Sequence, residues 1–310
     1  MSAAITVAGV SKSFGEVRAL KQLSFAVEKG ELFGFIGSDG AGKTTLFRVL
    51  VTLLLADEGS ATVAGMDVVK DYRKLRQHIG YMPGRFSLYQ DLSVEENLKF
   101  FATVFGTTIE ENYDLIKDIY GQIEPFRKRR AGKLSGGMKQ KLALSCALVH
   151  KPEVLFLDEP TTGVDAVSRK EFWQMLERLK EKGITILVST PYMDEASLCD
   201  RIALIQNGSI LGIDTPENIT GKFDRPLLAI NAEETHRLIQ VLRAYPHAES
   251  VYAFGEYLHY ADKREAVDPN ELVRFLESAG FARVEVNPIK PDIEDTFMAL
   301  MEKEETVKNG

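Results

Sequence analysis

Two cysteines in 310 residues, Cys146 and Cys199, are too few for a disulfide framework or a cysteine metal site, and they point to a reducing compartment. Segments able to span a bilayer are missing as well, since no apolar run approaches the roughly 18 residues that a membrane helix needs. The longest run, Val49 to Ala56, is interrupted by Thr52 and is expected to be the helix that follows a loop at residues 37–44. The first residues hold no basic region followed by an apolar one, so no secretion signal is expected. A basic excess is also lacking. Lys and Arg number 38 against 45 Asp and Glu, and the net charge of −7 argues against general nucleic-acid binding. The one basic run, Arg127-Lys128-Arg129-Arg130, reads as a solvated helix end. What remains, 45% hydrophobic and 27% charged, is an ordinary globular chain longer than one typical domain.

Against these absences stands one complete motif. Gly37-Ser38-Asp39-Gly40-Ala41-Gly42-Lys43-Thr44 matches the phosphate-binding loop G-x-x-x-x-G-K-[ST], and Thr45 follows it. Glycines let consecutive backbone N–H groups turn inward around a polyphosphate. Lys43 is placed to reach the β- and γ-phosphates and Thr44 to offer its hydroxyl to Mg²⁺. A helix starting near Lys43 adds its unpaired N–H groups. The apolar run Leu32 to Ile36 before the loop reads as a buried strand. A second buried strand, Val154 to Leu157, ends in Asp158 and Glu159. Asp158 fits the metal shell beside such a loop, and Glu159 can polarise an attacking water.

Leu134-Ser135-Gly136-Gly137-Met138 opens a helical stretch, and Ser135 with two glycine N–H groups forms another anion-binding helix start. With these three elements in this order, the sequence closely resembles the ATP-binding cassette (ABC) ATPases over about residues 4–220. In that family the LSGG segment closes over ATP held by the P-loop of a second subunit. The resemblance assigns Phe14 to stacking on adenine and Asp165 to the D-loop. It implies ATP and Mg²⁺ as ligands, with Glu159 as the catalytic base and Thr44 and Asp158 on the metal. The implied fold is α/β, a P-loop ABC ATPase with a RecA-like core, an antiparallel β-subdomain and a helical subdomain at about 90–150, the whole spanning 1–222.

Two positions depart from the family pattern. Gly84, after Ile79-Gly80-Tyr81-Met82-Pro83, stands where the family carries a Gln near Mg²⁺ and the attacking water. Pro191, after Leu187-Val188-Ser189-Thr190, stands where it carries a His that contacts the γ-phosphate. Neither can donate a side-chain hydrogen bond, and proline lacks its N–H as well. Hydrolysis at this chain's own site is therefore expected to be slow, whereas the LSGG side is complete. That favours a heterodimer with a second, less altered ABC ATPase; a homodimer is the alternative. Gln90 and His78 are not at family positions, and His78 is expected on an exposed face.

The expected function is the ATPase subunit of an ABC exporter, peripheral on the cytoplasmic face of the cell membrane and acting on a separate integral-membrane permease. The closing Pro291 to Phe297 resembles the tail of such subunits in type-2 exporters. Phe86, Leu88 and Tyr89 read as an exposed groove for a permease helix, and Phe101 and Phe105 as core. Alternatives are a regulatory ATP-binding subunit without turnover, or a soluble switch. Tandem cassettes or long coiled-coil insertions would mark a switch, and neither is present. Ser93 to Glu96 matches a capping box and Asn207-Gly208 a tight hairpin. From about 223 to 310 the β-α-β-β-α-β pattern predicts a small α+β, ferredoxin-like domain.

Overall fold

A computed structural model describes the backbone of residues 3–309 and the side chains of 3–303. The chain forms two compact units, Met1–Pro216 and Glu217–Gly310. The first opens with the long antiparallel strands β1 (Ala3–Phe14) and β2 (Val17–Glu28), followed by β3 (Leu32–Ile36) and α1 (Lys43–Leu50). Then come β4 (Glu58–Val63), β5 (Met66–Asp67), α2 (Tyr72–Leu75), β6 (Ile79–Met82), α3 (Val94–Val104), α4 (Tyr113–Tyr120) and α5 (Gly136–Leu148). β7 (Val154–Asp158), α6 (Ala166–Glu181), β8 (Thr185–Thr190), β9 (Arg201–Gln206) and β10 (Ser209–Asp214) follow, and α7 (Pro216–Thr220) starts at the last residue of this unit.

Two sheets organise this unit. One is antiparallel, in the order β2-β1-β4-β5. The other runs β10-β9-β3-β8-β7-β6, with β9, β3, β8, β7 and β6 parallel and β10 added as a hairpin. β3, β7 and β8 are buried at every residue, as expected of strands covered on both faces. The core joins both sheets through α1. Phe25 meets Phe35 at 4.9 Å between ring centroids, Phe35 meets Phe47 at 6.5 Å, and Phe47 meets Phe156 at 6.0 Å, all edge-on. Such pairs contribute about 0.5–1.5 kcal/mol each beyond area burial. They fix α1 against β7. Registers Ile36↔Thr190 and Asp158↔Ser189 bring the ends of β3, β7 and β8 to one edge of the sheet, where open parallel sheets place their ligands.

The helical segment starts as expected. Ser93 caps α3, with Glu96 N–H donating to its Oγ at 3.2 Å and Ser93 N–H donating to Glu96 Oε2 at 2.7 Å. Asn207 and Gly208 both take positive φ between β9 and β10, as a tight hairpin turn requires.

Several expectations are corrected. α1 ends at Leu50 and does not reach Ala56: Thr52 turns to φ +66, and the N–H groups of Leu53 and Leu54 return to Arg48 O. Leu88 is buried, not exposed. The buried Asn97 amide bonds the backbone of Tyr89 and Leu92, which draws that loop onto α3 and turns Leu88 inward. Phe86 is half-buried under the Lys139 ammonium, while Tyr89 is exposed. Phe101 and Phe105 are half-buried rather than core. His78 is half-buried and pairs with Glu153 at 2.8 Å.

The second unit contains β11 (Leu227–Asn231), α8 (Thr235–Arg243), β12 (Ala248–Phe254), β13 (Tyr257–Asp262), α9 (Pro269–Ser278), β14 (Glu285–Pro288) and α10 (Ile293–Asn309). Its sheet order β12-β13-β11-β14, antiparallel throughout, is the ferredoxin-like order. Alternation along β13 sends Leu258 and Tyr260 into the core shared with α8 and α9. His259 points the other way and meets Asp295 of α10 at 2.7 Å. Arg264 forks onto the fully buried Asp262 at 2.9 and 3.0 Å and reaches Glu271 at 3.1 Å, tying β13 to α9. Burial pushes the Asp262 carboxyl up, but the bonds from Arg264 and Tyr260 outweigh it and hold the group below the usual range.

Candidate functional site

The loop Gly37 to Gly42 leaves β3 at the ligand edge of the parallel sheet. Gly37 N–H donates to Thr190 O at 3.3 Å and Ser38 Oγ to Gln206 Oε1 at 2.6 Å, so the loop is tied to both neighbouring strands. Gly42 caps α1 at φ +107, a conformation open only to glycine, and a Cβ there would lie 2.5 Å from Ala19 O. α1 has no side-chain cap and no acidic residue in its first turn, which leaves its leading N–H groups for an anion. Asp39 and Gly40 are exposed, Ser38, Thr44 and Thr45 half-buried, and Ala41 buried.

Lys43 is 3% exposed. Its ammonium donates to Gly37 O at 2.8 Å and Ser38 O at 3.0 Å and lies 3.2 Å from Glu159 Oε1. Thr44 Oγ1 donates to Asp158 Oδ1 at 3.1 Å. Lys43, Thr44, Asp158 and Glu159, chosen from two segments over a hundred residues apart, therefore meet at one point. Glu159 takes φ +50, a left-handed backbone that costs a non-glycine residue on the order of 1–2 kcal/mol. Its N–H is held at 3.0 Å by both the carbonyl and the hydroxyl of Ser189. Ser189 Oγ in turn donates to Asp158 Oδ1 at 2.7 Å. Sequence reading did not single out Ser189, because only the parallel register of β7 and β8 sets it opposite Asp158.

Of the two departing positions, Gly84 lies against the carboxylate pair and Pro191 directly follows β8. Gly84 follows β6, and a Cβ there would stand 2.9 Å from Asp158 O and 3.7 Å from Glu159 Cβ. Any larger residue requires the loop to move. At the last residue of β8, Thr190 Oγ1 donates to the buried Glu195 at 2.5 Å, and Thr161 Oγ1 donates to the same oxygen at 3.1 Å. Tyr81, in β6, has its hydroxyl pKa pushed up to about 12, first by burial and then by the charge of Asp158.

Other expected residues sit elsewhere in the unit. Phe14 ends β1 and is 51% exposed, with the Lys12 ammonium 5.7 Å from its ring centroid. Ser135 caps α5, accepting from Met138 N–H at 3.3 Å. Gly136 and Gly137 lie against Gly163 O and the Ser168 side chain, beside the start of α6. Asp165 caps α6, accepting from Ser168 and Val167 N–H at 3.0 and 3.1 Å, and these bonds hold its carboxyl below the usual range. A phosphate-binding loop, two carboxylates at the end of a parallel strand of the same sheet and a serine-capped second glycine helix define a P-loop nucleotide-binding protein.

The profile of the ABC transporter family matches residues 20–162. Nod factor export ATP-binding protein I of Rhizobium sp. (strain N33) is 34% identical over 305 residues, covering 97% of this chain and 98% of that protein. A daunorubicin resistance ATP-binding protein of Streptomyces coeruleorubidus is 33% identical over 313 residues, covering 96% and 94%. The probable multidrug ABC transporter ATP-binding protein YbhF of Escherichia coli (strain K12) is 43% identical over 213 residues, 68% of this chain; the chain spans only 37% of that relative's length. Among solved structures, the ATP binding subunit of an ABC transporter superposes with a TM-score of 0.65 at 26% identity, over 71% of this chain and 93% of that one. A dimeric bacterial ABC transporter cassette does so at 0.62 and 25%, over 68% and 98%. The chain belongs to the ABC transporter family.

Proposed function

We propose that this chain binds and hydrolyses ATP as the nucleotide-binding subunit of an ABC exporter, working on a separate integral-membrane permease from the cytoplasmic face. The convergence of Lys43, Thr44, Asp158 and Glu159 carries the reading. Phosphate oxygens replace Gly37 O and Ser38 O as acceptors for Lys43, while the loop N–H groups and the start of α1 receive the remaining charge. Phe14 stacks on adenine. The hydroxyl of Thr44 and the carboxylate of Asp158 are hard oxygen donors on adjoining elements, a set that fits Mg²⁺. When bound, that ion neutralises charge on the phosphates. Glu159 accepts the proton of the attacking water. Ser135, Gly136 and Gly137 close over nucleotide held by a second ATPase subunit. The names of the relatives, exporter and drug-resistance ATP-binding proteins, support this reading.

The chain's own site is slow. Gly84 and Pro191 supply no side-chain donor, and one preorganised donor is worth about 10²–10³ in rate. The two losses need not multiply. The complete Ser135–Gly137 side favours pairing with a less altered ATPase over a homodimer, and the same two residues support a regulatory subunit as the second reading. Pro191→His tests the impairment. Steady-state phosphate release is expected to rise at least about tenfold, part of what one donor is worth; an unchanged rate would show that this branch does without the histidine. Gly84→Gln is a poorer test, because its Cβ would press on Asp158 O.

A groove of about 360 Å³ opens beside β6, between α3 and α5, lined by Leu88, Phe101, Val104, Phe105, Tyr81 and His150. Val104 and Leu53 are exposed at its rim. His150 stacks on Phe105 at 3.7 Å, and burial depresses its pKa, which favours the neutral ring. An apolar groove of this kind suits an amphipathic helix of the permease. Val104→Asp with Leu53→Asp is expected to abolish co-purification with the membrane partner while nucleotide binding persists. Retained co-purification would place the docking surface elsewhere.

A further inference from the structure

We infer that Ser189 is the positioning residue that holds Asp158 and Glu159 in their working geometry, and that it sets the metal affinity of the site. The inference rests on the nucleotide-hydrolysing reading above. Ser189 is fully buried near the end of β8. Its single hydroxyl makes two bonds of opposite sense, donating to Asp158 Oδ1 at 2.7 Å and accepting from Glu159 N–H at 3.0 Å. The first bond, with that from Thr44, fixes the rotation of the Asp158 carboxylate and so decides which lone pairs face a cation. The second helps to hold Glu159 at φ +50, the backbone turn that aims its carboxylate at Lys43.

Its neighbours leave Ser189 this task. Pro191 has no donor to give. The Thr190 hydroxyl is directed away, to Glu195 at 2.5 Å. Gly84 has no side chain with which to reach the metal or the water. The Ser189 hydroxyl alone bonds both members of the Asp158–Glu159 pair, while Thr44 adds a bond to Asp158 only.

The experiment is equilibrium binding of a fluorescent ADP analogue, with and without Mg²⁺, to the full chain and its Ser189→Ala and Ser189→Thr variants. In wild type, Mg²⁺ tightens binding. In Ser189→Ala the Mg²⁺ concentration needed for that effect is expected to rise about 10–100-fold, the usual consequence of losing an outer-shell partner. Metal-free affinity should stay within about twofold, because the phosphate loop is untouched. Ser189→Thr keeps the hydroxyl and should restore the metal response. Turnover should follow, with kcat reduced in Ser189→Ala and the KM for ATP little changed. An unchanged Mg²⁺ requirement in Ser189→Ala would overturn the inference. So would an equal loss of metal-free and metal-bound affinity in both variants, which would mark Ser189 as merely structural. Absence of nucleotide binding by the wild-type chain would instead overturn the function from which the inference starts.

Discussion

Glu159→Gln is expected to lower steady-state ATP turnover by about 10²–10⁴, the range for losing a general base, while ATP affinity holds or rises slightly. The amide preserves the size of the side chain, and the backbone N–H of residue 159 keeps its bonds to Ser189. What disappears is the negative charge 3.2 Å from the Lys43 ammonium and, with it, the group proposed to take the proton. A Lys43 freed from that carboxylate is more available to phosphate, which is why affinity should not fall. Phosphate release and nucleotide binding measured on the same preparation separate the two effects. Turnover near the wild-type rate would remove Glu159 from the chemistry, whatever the binding result.

Lys43→Ala should act on the other half of the cycle. Nucleotide affinity is expected to drop at least about 10–100-fold, since a hydrogen bond to a charged group is worth about 1.5–3 kcal/mol. The lysine is 3% exposed and satisfies two loop carbonyls besides facing Glu159. Its removal leaves those carbonyls and the carboxylate without a cation, so the loop should loosen too. Binding of the fluorescent ADP analogue, compared with the thermal midpoint of the variant, distinguishes lost affinity from lost fold. Affinity close to wild type would place the phosphates somewhere other than the Gly37–Thr44 loop.

The residues nearest the chemistry were the easiest to read from sequence. Leu32–Ile36 and Val154–Asp158 are short, continuous apolar runs, and such runs form central parallel strands. Each also carries its functional group at its end, so finding the strand locates the group. The ferredoxin-like order of the second unit was legible for a similar reason: helical and alternating patterns change over at clear boundaries. Harder to see were features set by contacts between distant segments. Ser189 looks like one more strand residue until pairing places it beside Asp158. Leu88 looks exposed until the Asn97 amide ties down the loop that carries it. The early end of α1 has no glycine to announce it, and Thr52 takes the left-handed turn instead. Gly84 reads as a lost glutamine, but its approach to Asp158 O adds that the loop has settled where no side chain fits.

The most direct test of the account is steady-state Mg-ATP turnover of the unaltered chain, measured beside Glu159→Gln and Pro191→His. A low rate is expected, one that Glu159→Gln abolishes and Pro191→His raises. A brisk wild-type rate that Pro191→His leaves unchanged would contradict it: the site would then be fully competent without the missing donors, and the case for a less altered partner subunit would lose its physical basis.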